Sequence, residues 1–205
     1  MPRTEATDIL VSFLQCFIFT ILKVRQVYDA SSFHRCRVRH LGDVWWNHCV
    51  EVEDYVVSLC ESLRAAMNRN RLKSLTLHLL PELPKSSLNQ RYVVSFPRSI
   101  PKDLDEAAIC EARSMLVNLE MRSLPAEKPS SETWKITLET WPPEAGERRQ
   151  EALPIPRWCE APTCGLYKTA GGAASNEVLP LGEARGADGS LCVSMYIEEG
   201  QLESE

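Results

Sequence analysis

A histidine directly beside a cysteine, His48-Cys49, is the first pair in this chain whose types could do chemistry. An imidazole that takes the proton of a thiol makes a nucleophile, and a Cys-dependent hydrolase would use the two residues in those roles. Such a site also needs a backbone turn that presents the nucleophile, and no glycine-rich or elbow motif surrounds either residue. The other histidines, at 34, 40 and 78, are scattered. Cys159 and Cys164 have half the makings of a zinc site, but a structural zinc takes four ligands and no second Cys or His pair follows at ligand spacing. Neither a phosphate-binding loop nor a dinucleotide fingerprint is present. Arg35, Arg37 and Arg39 alternate with Cys36 and Val38. That pattern is a short strand with a basic face, able to meet phosphate or an acidic partner and equally able to stand in water. The expectation is a binding module with no catalytic residue, no metal and no cofactor.

The elements that must position any binding surface are organised around Asp8–Tyr28, DILVSFLQCFIFTILKVRQVY. Ile9, Phe13, Phe17 and Ile21 step by four, as do Leu10, Leu14, Ile18 and Leu22, so the two sets form adjacent stripes on one helix. Val11 and Phe19 extend the apolar surface most of the way round, which suits a helix buried in a core or a membrane. A spanning helix wants about 20 predominantly apolar residues. Ile9–Leu22 is shorter than that before Lys23 and Arg25 intervene. A secretory signal would start basic and end in a small-residue cleavage site, whereas Glu5 and Asp8 precede this run and no such site follows it. A buried soluble helix is expected, capped by Thr4 or Thr7.

The chain has 205 residues and a formal net charge of −5, enough for one domain and too acidic overall for a generic nucleic-acid binder. Of its eight cysteines, Cys16, Cys60, Cys110 and Cys192 fall in apolar patterns and read as small core residues. With no secretory signal, a reducing compartment is expected rather than a disulfide framework.

After the first helix, residues 29–46 read as a connector holding the short basic strand. Asn47–Met67 reads as a second helix, with Asn47 as its cap. Leu72–Leu80 alternates like a strand and Arg91–Phe96 is a second, forming an antiparallel hairpin across a loop that holds Pro81 and Pro84. Asp103–Met121 is a third helix, with acids in its first turn. Thr133–Thr140 alternates cleanly as a third strand. Residues 142–190 hold seven of the nine glycines and are weakly patterned, as long functional loops are. Yet the segment ends in another strand, Leu191–Ile197, which is expected to dock at a sheet edge.

This order of elements, with ILKVRQVYDASSFHRCRV at 21–38, EDYVVSLCESL at 53–63, RSMLVNLE at 113–120, TWKITLET at 133–140 and VSMYIEE at 193–199, resembles the HORMA domain. That family includes the spindle-checkpoint Mad proteins and the accessory subunit of translesion DNA polymerase zeta. The VRQVY end of the first helix and the final SMYIEE look closer to the polymerase zeta subunit. The resemblance implies an α+β fold over residues 1–205, three helices packed on a mostly antiparallel sheet. The core would span 4–141 and a mobile safety belt 142–205.

It also implies a mechanism. The belt wraps over an extended partner peptide, here one from the polymerase zeta catalytic subunit, and the closed domain meets the scaffold transferase that recruits translesion polymerases. A HORMA homodimer or heterodimer and an AAA+ remodelling ATPase are further implied partners. Direct contact with nucleic acid or membrane is not, and the expected location is the nucleus. A checkpoint or meiotic HORMA adaptor is the alternative within the family. Position by position, Tyr55 and Trp158 match residues that contact or cover the trapped peptide. Tyr196 matches a tyrosine on the scaffold-facing surface, and Val178 and Ser194 stand where better-known members carry leucine and glutamine. Arg113 matches a basic residue at the HORMA dimer surface.

Overall fold

Ala6–Val24 forms one helix, α1, that passes through the middle of the molecule. The computed structural model describes residues 6–80, 88–122, 133–142, 177–186 and 188–201. Both apolar stripes of α1 are buried, and so are Val11 and Phe19, which carry the apolar surface further round. By length and composition the helix is long and apolar enough to cross a membrane, but here most of it is covered by protein. It is shorter than the sequence suggests. Gln26 takes the left-handed conformation, φ 52°. Its N–H donates to the Lys23 carbonyl (3.2 Å) and that of Val27 to the Leu22 carbonyl (3.1 Å). This pair of bonds closes a helix C-terminus, so Val27 and Tyr28 turn away. Thr7 lies inside the helix, its hydroxyl bonded to the Asn68 side chain at 2.6 Å.

The expected connector is a two-stranded hairpin instead. β1 (Phe33–Val38) pairs antiparallel with β2 (Gly42–Asn47), turning through His40 and Gly42, both at positive φ. Asn47 closes β2 rather than capping a helix. Its amide bonds the Ser32 hydroxyl and the Cys49 N–H, and Cys49 is the N-cap of α2 (Val50–Ser62). The expected single helix is broken at Leu63 into α2 and α3 (Arg64–Asn68). There the Ser62 hydroxyl bonds back to the Leu59 carbonyl and the Leu63 N–H to that of Cys60, tightening the last turn of α2.

β3 (Leu72–Leu80), β4 (Leu88–Ser95), β5 (Thr133–Thr140), β6 (Glu177–Arg185) and β7 (Leu191–Gln201) make a five-stranded sheet in the order β5-β3-β4-β7-β6, antiparallel throughout. Leu75, Leu77, Tyr92, Val94, Met195 and Ile197 from this sheet join the α1 residues in one core. β7 does not lie at an edge, as the sequence suggests. It is the inner strand between β4 and β6, and β6 lies within the stretch read as unpatterned. Pro180 and the register shift between Pro180 and Gly182 hide that strand from an alternation test.

The third helix, α4 (Glu106–Arg122), begins after Asp105, whose carboxylate caps the Ala108 N–H at 2.8 Å. Asp103 stays outside it. Its buried face runs through Ala108, Ile109, Ala112, Met115, Leu116 and Leu119, which leaves Cys110 exposed rather than in the core.

Candidate functional site

A sheet offers binding chemistry at its two outer strands, here β5 and β6. β5 is the regular one. From Leu80↔Thr133 to Ser74↔Glu139 it runs in unbroken register with β3, and among the described residues no strand pairs with its other side. An open, regular edge is a row of unpaired N–H and C=O groups that can template another strand. β6 is irregular. Pro180 has no N–H to offer, and the strand shifts register after Pro180 and again after Ala184.

Aromatic side chains gather beside the open edge. Tyr55 on α2 is 53% exposed. Its ring meets that of Trp134 on β5 edge to face, with centroids 5.6 Å apart. Trp134 Nε1 donates to the Tyr28 hydroxyl at 3.1 Å. The turn that ends α1, the exposed face of α2 and the first residues of β5 are thereby joined. Tyr55 also lines an open depression of about 450 Å³ together with Asp54, Val57 and Ser58. An exposed ring held rigidly by a second ring supplies contact area at low conformational cost. The resemblance singles out Tyr55 but neither Trp134 nor Tyr28, which the structure places beside it. The alternation of TWKITLET puts Trp134 on the buried side of its strand, but no spacing links it to Tyr55.

The path of the chain adds a second feature. β5 ends at the Leu72 end of the sheet and on one edge, whereas β6 begins at the opposite end and on the other edge. Residues 141–176 therefore bridge a diagonal of about 32 Å, from about 26 Å of strand length and about 19 Å across four strand spacings. Fully extended, that many residues reach about 120 Å. At the departure point Trp141 is pinned: its N–H donates to the Arg71 carbonyl (2.7 Å), Arg71 Nε donates to its carbonyl (3.0 Å), and Lys73 lies over its ring.

Trp158, and the Cys159–Cys164 pair, lie outside the described residues. Val178, Ser194 and Tyr196 share one face of the sheet, the face that also carries Lys135, His78 and Arg91. The register sets Val178 opposite Glu198, Tyr196 between Val93 and Pro180, and Ser194 between Ser95 and Glu183. Val178 is 52% exposed. Arg113 lies elsewhere, where α4 meets the β1–β2 turn. Its Nε donates to the His40 carbonyl at 2.6 Å and its guanidinium pairs with Glu106 at 3.4 Å.

The alternative chemistry does not assemble. The Cys49 thiol donates to the Glu51 carboxylate at 3.1 Å, a bond that holds Glu51 below the usual carboxylate range. The His48 ring faces that of His34, with centroids 6.1 Å apart. Among the described residues no three of His, Cys, Asp and Glu are grouped to hold a metal ion. In the basic strand, Arg35 Nη2 donates to both carboxylate oxygens of Glu120, at 2.7 and 2.8 Å, and the guanidinium covers the Trp45 ring at 4.1 Å. Trp45 Nε1 donates to the same Glu120 at 2.9 Å. Arg35 thus ties the hairpin to α4, and Arg37 faces Asp43 across the hairpin.

No protein-family model matches this sequence, and no curated protein matches it in sequence. Its fold does have counterparts among solved structures. A chain of the mitotic checkpoint complex superposes with a TM-score of 0.64 at 12% identity, covering 97% of this chain and 99% of that one. C. elegans HTP-1 bound to HTP-3 motif-1 gives a TM-score of 0.66 at 10% identity, covering 97% and 91%. C. elegans HTP-2 bound to a HIM-3 closure motif gives 0.65 at 10% identity, covering 96% and 91%. The α+β fold of this chain is that of HORMA-domain structures.

Proposed function

We propose that this chain is a non-enzymatic adaptor that captures an extended peptide of a partner protein along the outer edge of β5, with residues 141–176 passing over it. The observation that carries this reading is the open, regular edge of β5 flanked by Tyr55 and Trp134. Strand addition at such an edge draws affinity from main-chain hydrogen bonds and specificity from pockets for alternate side chains. The other outer strand is a poor acceptor because of its proline and its broken register. Solved structures of the same fold hold motifs of partner proteins, as in HTP-1 with HTP-3 motif-1, which supports peptide capture as the common activity.

The finer reading is that the partner is the catalytic subunit of DNA polymerase zeta and that the chain serves DNA damage tolerance in the nucleus. VRQVY at 24–28 and SMYIEE at 194–199 support it. The face bearing Val178, Ser194 and Tyr196 would meet the translesion scaffold transferase, the α4–hairpin junction at Arg113 a second HORMA domain, and an AAA+ ATPase would reset the belt. A checkpoint adaptor with another peptide is the competing reading, favoured by the likeness to a mitotic checkpoint complex chain. Fluorescence anisotropy with labelled proline-containing peptides of the zeta catalytic subunit and of checkpoint partners separates them. Binding to the former, weakened about tenfold or more by Tyr55→Ala and by Trp134→Ala with the circular dichroism unchanged, is expected for contacts at the centre of an interface. Binding only to the checkpoint peptides overturns the zeta assignment. Capture unaffected by both substitutions overturns the site.

A further inference from the structure

We infer that the end of the sheet where β3 starts and β4 and β5 finish is a binding surface for single-stranded nucleic acid, independent of the capture reading above. The net acidity of the chain hides a local reversal of charge. Residues 62–102 hold eight lysines and arginines and one acid, Glu82. Five of the eight, Arg69, Arg71, Lys73, Arg98 and Lys102, lie in or beside the chain segments that meet at this end of the sheet. Those segments are tied to one another. Asn70, at a φ of 54°, accepts the Ile100 N–H on its side-chain oxygen at 2.9 Å. The Lys73 carbonyl accepts the Phe96 N–H at 2.8 Å, and the Lys102 carbonyl accepts the Ala6 N–H at 2.9 Å. Trp141 joins the group through its bonds to Arg71. The cations are therefore carried on backbone whose turns are held in place.

Arg69, Arg98 and Lys102 are exposed and form no ion pair among the described residues. The acids around them are mostly engaged. Asp8 pairs with Arg64, Glu139 with Lys73 at 2.8 Å, and Asp105 caps α4. Asp103 is the exposed acid left beside them. The Lys73–Glu139 pair is itself open to water, and such a pair holds weakly, so an incoming phosphate can replace Glu139. A surface of this kind attracts a polyanion. An acidic peptide would answer the charge as a nucleic acid does, and the Trp141 ring decides between them. It is half-buried, and Lys73 Nζ lies 5.6 Å over it. Cations interleaved with an aromatic ring are the chemistry of single-strand binding, in which phosphates follow the charge and a base stacks on the ring. A duplex keeps its bases stacked inside and leaves this ring unused. The Tyr55–Trp134 pair lies at the other end of β5, about 20 Å along the strand, so the two surfaces are separate.

Fluorescence anisotropy on the full-length chain tests this with fluorescein-labelled oligothymidine of about 20 nucleotides, the matching duplex and an oligoglutamate peptide. About four phosphate contacts predict a slope of about −3 for the logarithm of affinity against that of salt concentration. Arg98→Ala combined with Lys102→Ala should halve that slope and weaken binding about tenfold or more at about 50 mM salt, with the circular dichroism unchanged. Trp141→Leu should cost about fivefold or more, the loss of one stacked base. Arg37→Glu is the control: it reverses an exposed charge on the β1–β2 hairpin and should change affinity by no more than about twofold. The duplex and the oligoglutamate should both bind about tenfold more weakly than the single strand. No binding of oligothymidine at about 50 mM salt overturns the inference, and so does an equal loss in Arg37→Glu and in the double variant. Oligoglutamate bound as tightly as oligothymidine makes the partner an acidic protein instead. A duplex bound as tightly, or an unchanged affinity in Trp141→Leu, overturns the choice of a single strand.

Discussion

Between about pH 6.5 and pH 4, acidification should destabilise this protein through His78. It sits on β3, 4% exposed, and its Nε2 shares a 2.7 Å hydrogen bond with Thr137 Oγ1 on β5. The register sets Lys135 opposite it on one neighbouring strand and Arg91 on the other. Burial, then Lys135, then Arg91 push its pKa from 6.5 down to about 4. The unfolded chain therefore takes up this proton near pH 6.5 and the folded chain only near pH 4. Between those values the unfolded state binds more protons, so stability falls as pH falls through that window. A shift of this size converts to about 3 kcal/mol at most. The flanking cations reach into water, and screening cuts the effect to about 1–2 kcal/mol. His78→Gln keeps a group able to bond Thr137 and cannot titrate. Urea unfolding of both proteins at about pH 7, 5.5 and 4.5 should show the wild type losing about 1–2 kcal/mol more than the variant, or about 3–6 °C in melting temperature. Parallel losses in the two proteins would refute the assignment.

Three further outcomes are expected. Phe17→Asp places a carboxylate in the fully buried centre of α1 and should abolish folding, at a cost above about 4 kcal/mol; a folded variant that merely lacks peptide binding, by circular dichroism and anisotropy, would contradict this. Val178→Glu on β6 and Tyr196→Ala on β7 lie at the far side of the sheet from the β5 edge and should weaken binding of the scaffold transferase in a pull-down while peptide affinity stays within about twofold, since distant sites act independently. Cys49→Ala and His48→Ala should leave peptide affinity and folding unchanged, and thiol-dependent turnover by the wild type that disappears in either variant would revive the hydrolase reading.

Elements whose signal lies in one stretch of chain were legible. The stripes of α1, the alternation in β3 and β5, and the acid-capped start of α4 each follow from local periodicity. Where local signals conflict, the reading slipped. Trp45 and Trp46 in a stretch with Gly42 and Asp43 read as connector, although β2 uses them to reach Glu120 and Glu53 on two separate helices. Cys110 sits beside buried Ile109, and a slip of one residue in the helical phase moves it from surface to core. β6 was missed because Pro180 and Gly182 interrupt its apolar residues. Those interruptions make sense only beside α4, which is distant in sequence. The candidate site was half legible for the same reason. Tyr55 stood out by resemblance, but its partner Trp134 and the Tyr28 hydroxyl behind it meet only after the chain has folded.

The two outer strands face opposite physical problems. An exposed edge invites unwanted pairing, and proteins blunt it with proline, bulges and charge. β6 carries these devices: Pro180, two register shifts, and the Glu183–Arg185 pair at 2.6 Å. β5 carries fewer. Its Glu139 is held by Lys73 at 2.8 Å and its run from Thr133 to Thr140 contains neither proline nor glycine. A strand left regular and unpaired would be a liability in a chain with no use for it. On the capture reading it is kept open for an incoming peptide. The residues that would protect it are those of the connection itself, which leaves β5 at its lower end and must cross to the far edge before the chain can finish its sheet. On that reading protection of the edge and retention of the peptide would be one act, because the ends of the connection are fixed at Trp141 on one side and, through the β6 main chain that Asn118 and Arg122 of α4 bond, on the other. Loosening either anchor should expose the edge as well as speed release. Aggregation of the Asn118→Ala, Arg122→Ala double variant, relieved by adding the captured peptide, is the expected signature. A double variant that stays monodisperse by light scattering under conditions where its β6–β7 amide hydrogens exchange freely would show that β5 is protected by other means.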